Sequence, residues 1–183
     1  MAMNFKELDT VTRSRMLERF EAEESAGNPY RSGVLSASGL AAFPDLMRQA
    51  IKDPNGNEVT LAASLKPTDF WVPTESYVRD GVTRERTVNP NQAAERLALT
   101  EFNTWYVAGL AHRLQDEGVS ECRVYRAAVP KWEPAECSIH EGQVYPVADL
   151  IADHRISYWP PPGVPGRPSI PAGPGCHHTI ERV

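Results

Sequence analysis

The chain has 183 residues, 41% of them hydrophobic and 23% charged, with a net charge of -5 and a pI near 5.6. That is enough for one ordinary core, alone or with a small appendage, and it gives no support to a whole-molecule polyanion-binding role. No apolar run reaches membrane-span length, the first residues (Met1 to Asp9) are polar without a secretory signal, and three cysteines form no obvious disulfide framework.

In chain order, the first zone, residues 1–66, reads as short helices. Asp9 or Thr10 caps a helix carrying Val11, Met16, Leu17 and Phe20, which Gly27-Asn28-Pro29 ends. Ser36 or Ser38 caps a second, through Leu40, Phe43, Leu46, Met47 and Ile51, with Pro44 expected in its first turns. Asp53 to Asn57 is a turn, and Glu58 to Leu65 a third helix. Core packing is the reading of these apolar stripes.

Residues 67–90 form a hairpin arm. Ser76 to Val88 carries β-formers around Asp80-Gly81, a dipeptide suited to a tight turn with positive backbone angles. Its arginines, Arg79, Arg84 and Arg86, invite a nucleic-acid reading, but Asp80 and Glu85 sit among them. A solvated arm without a strong nucleic-acid signal is the expectation.

The longest helix follows, capped by Asn89, started by Pro90 and stopped by Gly118. Leu99, Phe102, Tyr106, Leu110 and Leu114 make one stripe, and Ala94, Leu97, Ala98, Trp105 and Ala108 a neighbouring one. Apolar over so much of its circumference, this helix is central to its domain. Glu101 and His112 are assigned capping or surface roles. Glu121 to Ala128 alternates as a strand, with Cys122 a small buried hydrophobe. Gln143 to Val147 reads as a short strand, and Val147 to about Asp153 as a short helix. Pro160 to Pro174 holds seven of the 16 prolines and is extended.

Two clusters of metal-ligand types close the chain: Cys137-Ser138-Ile139-His140, and Cys176-His177-His178 beyond Pro174-Gly175. They hold two of the three cysteines and three of the five histidines. Zinc favours four tetrahedral nitrogen and sulfur ligands, which Cys137, His140, Cys176 and His178 supply. His178 shares a strand face with Cys176, so His177 points outward or is hydrogen-bonded. A closed structural site suits a proline-rich tail with few apolar residues; the other reading is that both clusters are loop residues. The H-x-E and P-C-x-x-C pair of zinc deaminases is absent, as are a phosphate-binding glycine loop and a nucleophile elbow.

The order of these features resembles the C-terminal domain of phage Mu F-like minor head proteins. The matching residues are Thr100 and Glu101 in the long helix, Cys137 with His140, Gly142-Gln143 with Pro146, and Cys176 with His178. The resemblance covers about Asn91 to Val183, half the chain. His140 replaces the second knuckle cysteine, Cys176-His177-His178 a late His-x-x-Cys-Arg-Cys, and Ala98-Leu99 stands where the family usually has arginine. It implies a non-enzymatic minor head component of a phage or prophage, meeting portal or capsid proteins, in the virion or in the bacterial cytoplasm during assembly. The alternative is a metal-dependent, nuclease-like enzyme. Oligomeric state is left open. The expected architecture is α+β: short helices, a hairpin, a long helix, then a small β-rich region (91–183 as one domain) with a zinc-knuckle-like end.

Overall fold

The computed structural model describes residues 2–27, 29–129, 138–155 and 169–183. Five helices and five strands are named among them: α1 (Thr10–Ser25), α2 (Ala37–Lys52), α3 (Glu58–Ser64), β1 (Thr74–Arg79), β2 (Val82–Thr87), α4 (Pro90–Asp116), β3 (Glu121–Arg126), β4 (Val144–Pro146), α5 (Val147–Ala152) and β5 (His178–Arg182). The architecture is α+β, as expected.

The helix starts follow their caps. The Asp9 carboxylate accepts from the Val11 and Thr12 amides at 3.0 Å each, and Ser36 accepts from the Gly39 amide at 3.2 Å. Asn57 and Thr60 bond reciprocally across the first turn of α3. Pro44 departs from expectation, being the eighth residue of α2 and so an interior one. It denies the Leu40 carbonyl its usual helical donor. Leu40 lies at the surface, where water can take that bond, and Val11 is likewise exposed rather than in the core. The C-terminal end of α2 is closed by Arg13, whose guanidinium donates to the carbonyls of Ala50, Ile51, Pro54 and Gly56 at 2.7–3.3 Å. A charged donor here satisfies carbonyls that the helix end leaves open.

Helix α4 is the axis of the molecule. At 27 residues it spans about 40 Å, and it is buried almost continuously from Leu97 to Ala111. Helices α1, α3 and α5 pack on it. Gly109 lets α1 come close, since an added Cβ there would lie 2.7 Å from the Met16 backbone nitrogen. One hydrophobic cluster runs from Met16 of α1 through α4 to Ile180 of β5. The N-terminal helices therefore share a core with the long helix.

The sheet has the order β4-β3-β5, all antiparallel, with Cys122 opposite both Tyr145 and Arg182 and with Arg126 opposite His178. Cys122, Val124 and Ile180 are fully buried, and burial pushes the Cys122 thiol up to about 12. The chain before α1 straps this sheet. The Asn4 amide donates to the Ala127 carbonyl at 2.8 Å, Phe5 packs on Phe102 and Tyr106, and the Arg182 amide donates to Glu7 at 2.7 Å.

The hairpin β1–β2 is a separate two-stranded sheet, with every residue of β2 exposed. Its turn has φ of 54° at Asp80 and 74° at Gly81, the paired positive angles expected of that dipeptide.

Candidate metal centre

The turn that carries His140 and the segment that carries Cys176 and His178 flank the same end of β3 in the three-stranded sheet. On one edge of β3, the Gly142 amide donates to the Val124 carbonyl at 2.8 Å, and the Val124 amide to the Gln143 carbonyl at 2.9 Å. Gly142 has φ 78°, which turns the knuckle into β4. On the other edge, the Ala127 amide donates to the His177 carbonyl at 2.9 Å, placing Cys176 and His178 beside the same end of β3.

Cys176 and His178 are 2% and 3% exposed, and the Cys176 Sγ lies 3.9 Å from the His178 Nδ1. Two ligands on one tetrahedral zinc, with bonds of roughly 2.3 and 2.0 Å, stand about 3.5 Å apart, so this pair is close to the spacing required. The other nitrogen of His178, Nε2, faces Glu141 Oε2 at 3.3 Å. Arg126 holds that carboxylate with Nε at 3.0 Å and Nη2 at 2.6 Å. His140 Nδ1 is 2.7 Å from the Tyr145 hydroxyl. In both rings one nitrogen is held by an outer group and the other remains for a ligand, the pattern that orients metal-binding histidines.

The electrostatics carry the same proximity. The His178 pKa is raised, first by its bond to Cys176 and then by Glu141, against burial. The His140 pKa is lowered by burial and responds to the charges of Cys176 and His178. His177 is half-buried; burial lowers its pKa, and a bond with the Gly175 backbone and the charge of Cys176 oppose that. Among the described residues, no three His, Cys, Asp or Glu side chains converge tightly enough to hold a metal ion. Cys137, the fourth ligand expected from the sequence, lies outside the described residues. The donors in place fit zinc in kind and, for Cys176 and His178, nearly in spacing. Glu141 was legible only as a neighbour of the knuckle. Tyr145 carried no signal, because its role depends on the turn at Gly142.

A second ionic cluster corrects the surface assignment of Glu101. Its carboxylate is 1% exposed and is clasped by Arg155, Nη1 to Oε1 and Nη2 to Oε2, both at 2.7 Å. Arg155 Nε donates to Glu23 at 3.0 Å, and the guanidinium carbon lies 5.0 Å from the Tyr30 ring centroid and 4.8 Å from that of Trp105. Leu97, Glu101 and Trp105 follow at intervals of four, so the spacing alone puts Glu101 on the buried stripe. Arg155 sits in a turn and gave no such sign. Both Glu101 oxygens are committed to one cation, which makes the pair structural rather than a general base.

Beside it, a cleft of about 330 Å³ is lined by residues including Glu23, Trp105, His112 and His154. His112 is thus at a cleft wall rather than in a cap. Burial raises the Glu23 pKa, but the bond from His154 and the charge of Arg155 outweigh it and hold Glu23 down to about 2, from an ordinary 4.5. A carboxylate with a depressed folded-state pKa stabilises above its unfolded value and loses that contribution as pH falls through the folded one. The expected result is an acid loss of up to about 3 kcal/mol between pH 4.5 and 2 that Glu23→Gln removes. Urea melts at pH 7, 4 and 2.5 check it; an identical acid loss in the variant would show that Glu23 is not the group responsible.

Comparison of the chain with protein-family models, curated proteins and solved structures finds no match.

Proposed function

We propose that this protein is a structural, interaction component of a phage or prophage particle. In this reading it is a minor head protein assisting head assembly through contacts with portal or capsid proteins, in the virion or in the bacterial cytoplasm during assembly. The C-terminal region would be closed by a structural zinc ion on Cys137, His140, Cys176 and His178. The observation that carries the metal part is the close Cys176–His178 pair, with Glu141 on the outer nitrogen of His178 and Tyr145 on a ring nitrogen of His140 in the neighbouring turn. The assembly role is supported by the order of features shared with Mu F-like proteins: long helix, strand, Cys-x2-His knuckle, Gly142-Gln143 with Pro146, and terminal Cys/His strand. A closed staple suits a binding protein, because a catalytic ion keeps one position open for water.

Purified protein is expected to hold about one zinc per chain. Chelation, or Cys176→Ser, should lower the melting temperature by about 10 °C, the shift that some 4 kcal/mol makes in a chain of this length. His177→Ala should keep the metal. Protein without zinc, and insensitive to chelation, would remove the staple. Co-purification with a portal ring would support the assembly role. Metal-dependent cleavage of DNA by the purified protein, abolished by His178→Ala, would replace that role with the nuclease-like reading.

Among the described residues, no helix is long and apolar enough to cross a membrane.

A further inference from the structure

The register of the hairpin sorts its charges by face in a way that their order along the chain conceals. Glu75 pairs with Arg86, Tyr77 with Arg84, and Arg79 with Val82. Residues directly opposite in an antiparallel pair point the same way, and alternate residues share a face. One face therefore carries Glu75, Tyr77, Arg79, Val82, Arg84 and Arg86. The opposite face carries Glu85 among Thr, Ser and Val side chains. Two contacts confirm the sorting: the Arg86 guanidinium lies 5.1 Å from the Tyr77 ring centroid, and its Nε is 2.8 Å from Glu75. Glu85, which lies between Arg84 and Arg86 in the chain, is thus removed from the arginine face. Asp80 sits in the turn, 3.7 Å from Arg79 in a pair that is more than two-thirds exposed on both sides and so worth little.

At the base of this face Arg96 of α4 approaches Glu75 at 3.9 Å, adding a fourth guanidinium. One carboxylate, Glu75, answers Arg86 and Arg96 together, and Arg84 makes no hydrogen bond or ion pair among the described residues. An excess of positive charge on a projecting arm contrasts with the net charge of -5 for the whole chain. The arm also lacks a core: all of β2 is exposed, with Val78 at 69% and Val82 at 55%. A two-stranded hairpin of this kind is marginal alone and gains order from a partner.

We propose that this arginine–tyrosine face is a docking surface for duplex DNA. Charge complementarity selects a polyanion, and guanidinium groups match phosphate oxygens in pairs. A two-stranded ribbon fits the major groove, which is about 12 Å wide, whereas the deep major groove of duplex RNA excludes it. Glu85 and the Thr-rich face turn away from the duplex, and Tyr77 lies along the backbone-facing side. The contact is to phosphate and therefore salt-sensitive and weakly sequence-dependent. This inference is independent of both the zinc ion and the phage assignment.

Fluorescence anisotropy of a labelled 24-base-pair DNA duplex, titrated with the full chain at 50 mM salt, tests it. Saturable binding is expected, with log K falling against log salt at a slope of about -3 for three to four phosphate contacts. Arg84→Gln should reduce that slope by about one, and Arg79→Gln/Arg84→Gln/Arg86→Gln should weaken binding at least about tenfold. Thr83→Ala on the other face should leave the affinity within about twofold. Because all four positions are exposed, the variants should keep the wild-type melting curve, so a loss of binding is not a loss of fold. The proposal is overturned by absent salt-sensitive binding, by equal affinity of the triple variant, or by polyglutamate binding as tightly as DNA with the same dependence on Arg84. The last result would assign the face to an acidic protein.

Discussion

Arg155→Met is expected to cost about 3–5 kcal/mol of folding stability, the effect of leaving a buried charge without its partner. Glu101 is 1% exposed, and the structure gives its two oxygens one bidentate guanidinium, itself 2% exposed at the side chain. Without Arg155 the carboxylate must either stay ionised in apolar surroundings or take up a proton, and both cost free energy. Glu23 and the rings of Tyr30 and Trp105 lose a contact in the same step. The double variant Glu101→Leu/Arg155→Met should be more stable than Arg155→Met alone, because removing both charges of a buried pair is often close to neutral. Chemical denaturation of the wild type, Arg155→Met, Glu101→Leu and the double variant gives the coupling directly. A cost below about 1 kcal/mol for Arg155→Met would mean that water reaches Glu101 in solution.

Gly109→Val should destabilise by about 3 kcal/mol or more, at the upper end of overpacking effects. The first added carbon would sit 2.6 Å from the Met16 Cγ and 2.7 Å from the Met16 backbone nitrogen. The side-chain atom could swing aside, but the backbone nitrogen cannot, so α1 must move away from α4. That motion opens the core around Phe20 and Trp105, whose rings meet edge to face at 5.2 Å. The variant Gly118→Val tests a different cost. There φ is 74° with open space around the Cβ, and the expected loss is backbone strain of order 1–2 kcal/mol without repacking. Thermal melts with near-ultraviolet circular dichroism separate them. Only Gly109→Val should also change the aromatic signal.

Local chemistry explains why so much of the architecture was readable. Caps at Asp9, Ser36, Asn57 and Asn89 start helices wherever a side chain can bond the orphan amides two or three residues on. Asp80-Gly81 determines its own turn. Position Pro44 shows the limit of such rules, since its helix tolerates an interior proline at a surface where water is available. Glu101 shows another: in linear order it reads as a capping or surface residue, because its partner lies 54 residues away in a turn. The same holds at the candidate metal centre. The ligand types were visible, but Glu141 and Tyr145 become outer partners only once β3 brings the knuckle and the last strand together. The basic face of the hairpin needed the register of Tyr77 with Arg84, which linear order hides.

The strap before α1 and the strand β5 bear on how the chain folds as it is made. The Lys6 ammonium meets Glu181 across 175 positions, Asn4 meets Ala127, and β5 is hydrogen-bonded along β3. Asn103 and Tyr106 of α4 also bond to the carbonyls of His178 and Ile180. Contacts of such separation are slow to form, because a long loop must close before they contribute. A ribosome-bound chain that has emerged only as far as α4 would hold helices with the buried face of the central one still open. Its sheet cannot be completed until residue 182 is free, so final closure follows synthesis of the last strand. Until then, protection of the open face would fall to chaperones rather than to the fold.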